Sequence, residues 1–215
     1  MPDPAEELLN VYDDTARVVD TRARREAKAS GLAVGAVNVL LITRSGRVLL
    51  QRRPLGLENG GLWDKSVGGH VSAGEEFDAT VLRETSEELF GSGRSPHVVL
   101  ARDGAHFAEL ASNRDLGRDV VLRRADLKVN LRDVRHAPQG GVRNVLYHVA
   151  VYLGRTDRPL TSYVPHPGEI AELGYFEPGE VDEKLLLGEL APNMAYLWLS
   201  HAHALLALPG GEARK

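Results

Sequence analysis

Two stretches of the chain have the hydrophobic pattern of long strands. Residues 33–42 are almost continuously apolar, which is typical of a central strand that is buried on both faces. Residues 142–153 alternate between apolar and polar side chains, as in a strand with one buried face. We therefore expect a central buried strand and a second long strand later in the chain.

Shorter elements are predicted around these two strands. Leu8 to Asp20 carries apolar residues on either side of Asp13-Asp14, which predicts a small hairpin. Thr21 to Ser30 is rich in Arg, Ala, Glu and Lys and is followed by glycine, which predicts a short helix. The remaining expected elements are strands over 47–53, 63–68, 97–101, 119–123 and 166–176, and helices over 178–187 and 191–208.

We predict one structural domain with additions at both ends. The hairpin and the short helix form an N-terminal extension over 1–31, the main domain covers 32–188, and a helix with a tail covers 189–215. Residues from about 102 to 138 contain Gly-, Asp- and Arg-rich pieces and are interpreted as an insertion. Residues 1–7 are expected to be a loose end.

Composition limits the classes of function. Of the 215 residues, 43% are apolar and 26% are charged, and the formal net charge is −4, so general binding to nucleic acid or to a membrane is not expected. The chain has no cysteine, which excludes disulfides, thiolate metal sites and a cysteine nucleophile. No apolar run approaches the length of a membrane span, and the first residues lack the regions of a signal peptide, so we expect a cytoplasmic protein. A homodimer is compatible with this sequence.

Candidate chemistry lies in a glycine-containing loop that is followed by an acidic helix. At about 100° per residue, Glu84, Glu87 and Glu88 fall within an arc of roughly 100° on that helix. Like charges at this spacing repel each other and cost stability unless a cation lies among them. Ligation by oxygen alone suits Mg²⁺ or Mn²⁺. The alternative is an ordinary solvated acidic face.

The opposite side of the same helix carries small and apolar side chains, and we expect this side to pack on a sheet. These residues are Ala79, Leu82, Ser86 and Leu89.

The spacing Gly69, five residues, Glu75, seven residues, Arg83-Glu84-x-x-Glu87-Glu88 resembles the Nudix box of Nudix hydrolases. All charged positions of the box are present, whereas Thr85 replaces an aliphatic residue, Phe90 replaces a glycine, and Gly91 comes one position later. The resemblance implies an α/β (α+β) Nudix fold, in which a mixed β-sheet is sandwiched between helices. The N-terminal hairpin and helix and the C-terminal helix would be additions to it.

The resemblance also implies roles for individual residues. Glu84, Glu87 and Glu88 are the expected metal ligands, and a main-chain carbonyl of Gly68 or Gly69 is a further expected ligand, since glycine lets the backbone approach an ion closely.

Three further residues complete the expected catalytic set. Arg83 is expected to pair with Glu75 and to pin the loop onto the helix. Glu169, at the entry to the late strand, is a candidate carboxylate near the metals, and the alternative for it is an exposed strand-entry residue. A carboxylate of the box or Glu169 is expected to accept a proton from water.

Basic residues near the box are candidates for binding the phosphates of a substrate. Arg52 and Arg53 alternate in a strand, so only one of them can face a cleft. Lys65 and His70 lie beside the box, and His70 is a candidate for a metal or phosphate contact. Further basic residues in the first helix and just before it either form a solvated face or line a rim that attracts phosphates: Arg17, Arg22, Arg24, Arg25 and Lys28.

A narrower resemblance, over residues 8–91 and more weakly over 142–187, is to type 1 isopentenyl-diphosphate isomerase and its hydrolase-like relatives. The isomerase has a cysteine at the position of Gly68 and a histidine near residues 33–35, and this chain has neither. The resemblance therefore implies a Mg²⁺- or Mn²⁺-dependent hydrolase that cleaves a diphosphate linkage in a nucleoside diphosphate linked to a group X or in a similar small molecule. The alternatives are an isomerase or a Nudix domain that only senses a ligand.

Overall fold

The structure is a computed structural model that describes residues 6–91, 93–136, 140–165 and 168–211. Predictions that concern residues 1–5, 137–138, 166–167 and 212–215 lie outside the described residues.

A single mixed sheet of ten strands organises the described part of the chain. The strands are β1 (Leu8–Tyr12), β2 (Val18–Ala23), β3 (Ala33–Ile42), β4 (Val48–Arg52), β5 (Trp63–Asp64), β6 (Val67–His70), β7 (Val98–Ala101), β8 (Val120–His136), β9 (Val142–Arg155) and β10 (Glu172–Phe176). The helices are α1 (Arg24–Ala29), α2 (Phe77–Phe90), α3 (Gly104–Asn113), α4 (Pro178–Leu186) and α5 (Pro192–Leu206). The sheet order is β10-β4-β3-β9-β8-β7.

The continuous apolar run forms the predicted central strand. Every residue of β3 except Ala36 is buried, and β3 pairs in parallel with β9 from Val34 to Ile42. One core, between β3 and α5, contains Leu40 and Trp198, while the other, between β3 and α2, contains Val39 and Val81. The expected sandwich of helices around a mixed sheet is confirmed, and it places α2 on one face of the sheet.

Strands β4 and β6 leave a gap because they pair with different parts of β3. β4 pairs with β3 only at Leu41 and Ile42, whereas β6 pairs with β3 over Ala36 to Val39. The segment between them was expected to be one strand over 63–68 but forms two, because β5 pairs with β4 instead. Buried Ser66 joins the two sides, since its Oγ accepts from the N–H of Leu41 at 2.8 Å and donates to a β4 carbonyl at 2.5 Å.

Two predicted elements have different bounds. The first helix begins at Arg24 and not at Thr21, because β2 continues to Ala23 in its pairing with β1. The strand predicted over 119–123 extends to His136, because β9 supplies backbone partners along its length. Most of the segment that was interpreted as an insertion is therefore α3 and the β8 arm of a long ribbon.

No helix in the described ranges has both the length and the apolar character that crossing a membrane requires.

Candidate active site

The acidic helix α2 ends one residue later than the Nudix spacing suggests. Gly91 follows its last turn with a left-handed backbone, φ 65°, and its N–H donates to the carbonyl of Glu87 at 3.1 Å. Glycine adopts this conformation without the strain that a β-carbon adds. The displaced glycine of the motif therefore still ends the helix, and Phe90 lies in its final turn.

The predicted packing side of α2 is buried in part, and a second side of the helix is buried as well. Ser86 and Leu89 are buried as predicted, whereas Ala79 is exposed and Leu82 is only partly buried. On the second side, Phe77, Val81 and Glu88 are buried. At about 100° per residue, Phe77 and Val81 lie on the same side of the helix as the glutamates. Burying these apolar residues therefore turns carboxylates inward, toward the sheet.

The three glutamates of the box differ in exposure. Glu88 is 6% exposed, and the side chains of Glu84 and Glu87 are 14% and 41% exposed. The alternative of a solvated acidic face therefore does not describe Glu84 or Glu88.

Strand β6 lies directly against these inward carboxylates. The N–H of Gly68 donates to Oε1 of Glu88 at 3.4 Å, and Nε2 of Gln51 donates to Oε2 at 3.2 Å. A β-carbon on Gly69 would lie 1.9 Å from the carboxyl carbon of Glu84, so this position has no room for a side chain. The absence of a side chain allows the backbone of β6 to approach the carboxylates.

Arg83 ties the glycine loop to α2, as the Nudix motif implies. Its Nε and Nη2 each donate to the carboxylate of Glu75 at 2.9 Å. Its Nη1 donates to Glu84 at 3.0 Å and to Glu87 at 2.9 Å. The hydrogen bond from Arg83 lowers the pKa of Glu75.

Burial and mutual repulsion make Glu84 and Glu88 resist ionisation. Burial, only partly offset by Arg83, raises the pKa of Glu84 to about 7. Burial and the charge of Glu84 raise the pKa of Glu88 well above its usual range. Both carboxylates thus lack sufficient positive charge from the chain itself.

The expected metal ligands do not form a ready-made cage. Among the described residues, no group of three or more His, Asp or Glu side chains has an arrangement that could hold a metal ion. Glu84 and Glu87 point instead to Arg83. The donor set still fits Mg²⁺ or Mn²⁺, because buried carboxylate oxygens short of a counter-charge are hard ligands for such a cation.

A cleft of about 1420 Å³ runs past these carboxylates. Its acidic wall consists of Glu84, Glu87, Glu88 and Glu169. Its basic wall consists of Arg24, Arg25, Lys28, Arg53, Lys65 and Arg135. Glu169 is exposed but near enough to Glu88 for its charge to help raise the pKa of Glu88.

Only one of the two consecutive arginines faces the cleft, as their alternation predicts. Arg53 lines the cleft, where it donates to the carbonyl of Glu58 and pairs with Asp64 at 3.4 Å. Arg52 lies outside the cleft and pairs with Glu172 at 3.5 Å. Its position does not support the prediction that Arg52 binds substrate.

His70 and Lys65 lie on the side of β6 that faces away from Glu84. Side chains two residues apart on a strand share a face, so His70 lies on the face of Gly68. A β-carbon on Gly68 would lie 2.1 Å from Cε of Lys65. Burial and nearby cations, Lys28 first among them, keep the pKa of His70 well below its usual value. His70 is thus a neutral group beside the basic wall.

Sequence reasoning missed several residues of the cleft, among them Arg135 and Tyr147. Arg135 lies near the end of β8, in the segment that was interpreted as an insertion, and Tyr147 lies on β9. The alternation of β9 puts Tyr147 on the same face as Val145, so that pattern could have identified it. No local signal marks Arg135, because β8 reaches the cleft only through its pairing with β9.

Residues 33–199 match the family described as NUDIX domain. The chain belongs to the Nudix family. An uncharacterized Nudix hydrolase of Streptomyces coelicolor is 41% identical over 90 residues, which are 41% of this chain and 50% of that protein. An isopentenyl-diphosphate Delta-isomerase of Streptomyces griseus is 35% identical over 94 residues, 43% of this chain and 46% of that one. This Nudix chain thus spans about half the length of the curated relatives it matches.

A solved structure supports the fold over nearly the whole Nudix chain. The crystal structure of DR0079 from Deinococcus radiodurans superposes with a TM-score of 0.62 at 21% identity, covering 90% of this chain and 98% of that one. At this identity the likeness establishes the fold alone.

Proposed function

We propose that this Nudix protein is a metal-dependent hydrolase that cleaves a diphosphate linkage in a small molecule, such as a nucleoside diphosphate linked to another group. The burial of Glu88 carries the proposal. Its carboxylate is 6% exposed and accepts hydrogen bonds only from the neutral donors Gly68 and Gln51 among the described residues. An ionised carboxylate in this setting is costly unless a cation from outside the chain joins it.

The two walls of the cleft have different roles toward a diphosphate: the acidic wall binds a cation, and the basic wall binds phosphate oxygens. Glu84, Glu87 and Glu88, with a main-chain carbonyl of Gly68 or Gly69, would hold a divalent cation, which would neutralise phosphate charge and make water a better nucleophile. Lys65 and Arg53 on the basic wall bind phosphate oxygens and orient the linkage.

Positioning and proton transfer fall to other residues of the acidic side. Arg83 and Glu75 keep the glycine loop in place, so that the backbone of β6 stays against the carboxylates. Glu169 or a carboxylate of the box accepts the proton of the attacking water.

The space at Gly68 argues against isomerase chemistry. The side chain of Lys65 fills the position that a β-carbon would occupy there, and the chain has no cysteine to act as the thiol of the isomerase. The resemblance to the isomerases is thus assigned to a shared ancestry of the Nudix domain and not to a shared reaction.

A hydrolysis screen tests the proposal. Purified protein is stripped of metal and assayed on nucleotide and non-nucleotide diphosphates with Mg²⁺, with Mn²⁺ and with chelator. We expect turnover that requires either ion, with products that locate the cleaved bond. Binding of these compounds without turnover at any metal concentration would favour a ligand sensor, and full turnover in the chelator would exclude the metal-dependent mechanism.

A further inference from the structure

Cations from separate parts of the chain meet around one aromatic ring in the cleft. Nζ of Lys28, on α1, lies 5.7 Å from the ring centre of Tyr147, and Cζ of Arg135, on β8, also lies 5.7 Å from it. Arg24, at the start of α1, lines the same wall and is close enough for its charge to act on Lys28. Three basic side chains therefore share one small region of the basic wall.

The chain balances these charges only in part, although Glu58 and Asp133 also act on Lys28. Arg24 and Arg135 have carboxylate partners, Glu7 at 3.5 Å and Asp133 at 2.6 Å. The Nε of Arg135, however, is buried without a hydrogen-bond partner.

Lys28 is the least satisfied of the three cations. Its Nζ lies over the Tyr147 ring, and no hydrogen bond or ion pair joins it to another described residue, although the charges of Glu58 and Asp133 act on it. Burial and the charges of Arg24 and Arg135 lower the pKa of Lys28 to about 7. A partly buried cation and a buried guanidinium N–H without an acceptor both cost stability unless an anion binds between them.

This region is separate from the acidic wall but near it. The hydroxyl of Tyr147 lies 3.3 Å from Nε2 of His70. His70 is two residues along β6 from Gly68, whose N–H donates to Glu88. Because a strand rises ~3.3 Å per residue, the two residues are about 7 Å apart along the strand. One small substrate can therefore reach both places.

We propose that Arg24, Lys28, Arg135 and Tyr147 form a second anion-binding subsite that holds a phosphoryl group of the substrate outside the cleaved linkage. The inference rests on the proposed hydrolysis of a diphosphate and narrows its substrates to compounds with a further phosphoryl group. A phosphoryl group suits the site because it has up to two negative charges and three terminal oxygens, which supply an acceptor for each cation.

Binding of inorganic triphosphate to the 215-residue chain in chelator tests the subsite. Without metal the acidic wall holds no cation that could bind this anion, so that calorimetry reports binding to the basic side chains of the cleft. We expect Lys28→Met to weaken binding at least tenfold, equivalent to about 1.4 kcal/mol. Methionine keeps an unbranched stem of similar length without the charge. Arg22→Met is the matched control, because Arg22 lies outside the cleft and pairs with Asp20 and Glu26.

A second variant and the hydrolysis assay separate the two proposals. Arg135→Met should weaken binding as Lys28→Met does; if the loss of the partner of buried Asp133 prevents folding, Lys28→Met alone decides. Equal affinity in the parent, Lys28→Met and Arg22→Met, or no binding to the parent, would overturn the subsite. If Lys28→Met selectively weakens binding but no diphosphate is hydrolysed, the subsite stands and the proposed hydrolase fails.

Discussion

Asp64 and Glu88 are two buried carboxylates beside the same cleft, and they are balanced in opposite ways. Asp64 has no exposed surface and lies 3.2 Å from Nζ of Lys65 and 3.4 Å from Nη1 of Arg53. Glu88 is 6% exposed and accepts hydrogen bonds only from Gln51 and the backbone of Gly68 among the described residues. Both carboxylates lose hydration on folding, but of the two only Asp64 gains ion pairs in exchange.

The pKa values of the two carboxylates record this difference. Burial acts to raise the pKa of Asp64, but the charges of Lys65 and Arg53 outweigh it and leave the pKa lowered. At Glu88, burial and the charge of Glu84 both raise the pKa, and Lys65 offsets them only in part. The comparison teaches that burial alone does not mark a functional carboxylate. A shortage of counter-charge within the chain marks a candidate for binding an external cation instead.

Removing the charge of Asp64 tests whether its ion pairs stabilise the fold, and it has the largest expected effect on the free energy of unfolding. Asp64→Asn leaves Lys65 and Arg53 without the anion that balances them in the interior. Breaking such a buried pair costs about 3–5 kcal/mol, which urea unfolding measures directly. Because the folded pKa of Asp64 is lowered, its stabilising contribution should be present above about pH 4 and be lost as the pH falls through the folded pKa.

Glu172→Gln is the matched control for this loss. Glu172 pairs with Arg52, but its side chain is 54% exposed, and exposed pairs of this kind contribute at most about 1 kcal/mol. A similar loss of stability in both variants would mean that burial does not strengthen the ion pairs of Asp64 with Lys65 and Arg53. The comparison with Glu88 would then fail.

Adding one methyl group to β6 tests whether close backbone approach keeps the acidic wall in place. In Gly69→Ala the new β-carbon would lie 1.9 Å from the carboxyl carbon of Glu84, so the side chain of Glu84 must move away from β6. We expect turnover on the best substrate to fall at least tenfold and stability to fall by about 1–3 kcal/mol. Gly104→Ala is the control, since its β-carbon meets nothing within 4 Å. Unchanged turnover in Gly69→Ala would show that the position of Glu84 against β6 has no catalytic consequence.

The elements that the sequence predicted best are those with a local signal. Residues 33–42 form β3 with the predicted bounds, because an unbroken apolar run needs no partner to be recognised. Strand β8 was predicted only over its first residues, because Arg124, Asp126 and Lys128 look like loop residues until β9 supplies their backbone partners. Long-range pairing, and not local propensity, determines that part of the fold.

The residues of the candidate site likewise fall into those with a local sequence signal and those brought together only by long-range pairing. The spacing of the Nudix box identified Glu84 and Glu88 and the pairing of Arg83 with Glu75, all within one short segment. The burial of the glutamate side of α2 could also have been predicted, because Phe77 and Val81 share that side with Glu84. The region around Tyr147 could not, because Lys28 and Arg135 are distant in sequence and meet only after the sheet has formed.

Replacing Glu88 with Gln tests the functional half of the comparison, with the smallest expected change in stability. The variant keeps the shape of the side chain and removes a charge that only neutral donors support. Because the folded pKa of Glu88 is raised, ionised Glu88 destabilises the metal-free protein as the pH rises above the ordinary value near 4.3. In chelator at pH 8, Glu88→Gln should therefore be more stable than the parent by a few tenths of a kcal/mol, and this gain should vanish at pH 4.

Turnover should respond to the same substitution with the opposite sign. With Mg²⁺ or Mn²⁺, Glu88→Gln should lower kcat/KM at least tenfold, which corresponds to about 1.4 kcal/mol of lost transition-state stabilisation. Glu87→Gln sharpens the result, because Glu87 is 41% exposed and bonded to Arg83, so its loss should slightly reduce metal-free stability instead of raising it. A carboxylate that destabilises the metal-free fold but supports catalysis behaves as a metal ligand without its ion. Replacing a purely structural carboxylate would instead lower both stability and turnover. If Glu88→Gln were less stable than the parent in chelator, as Asp64→Asn is expected to be, Glu88 would belong with Asp64 and the distinction between the two carboxylates would be lost.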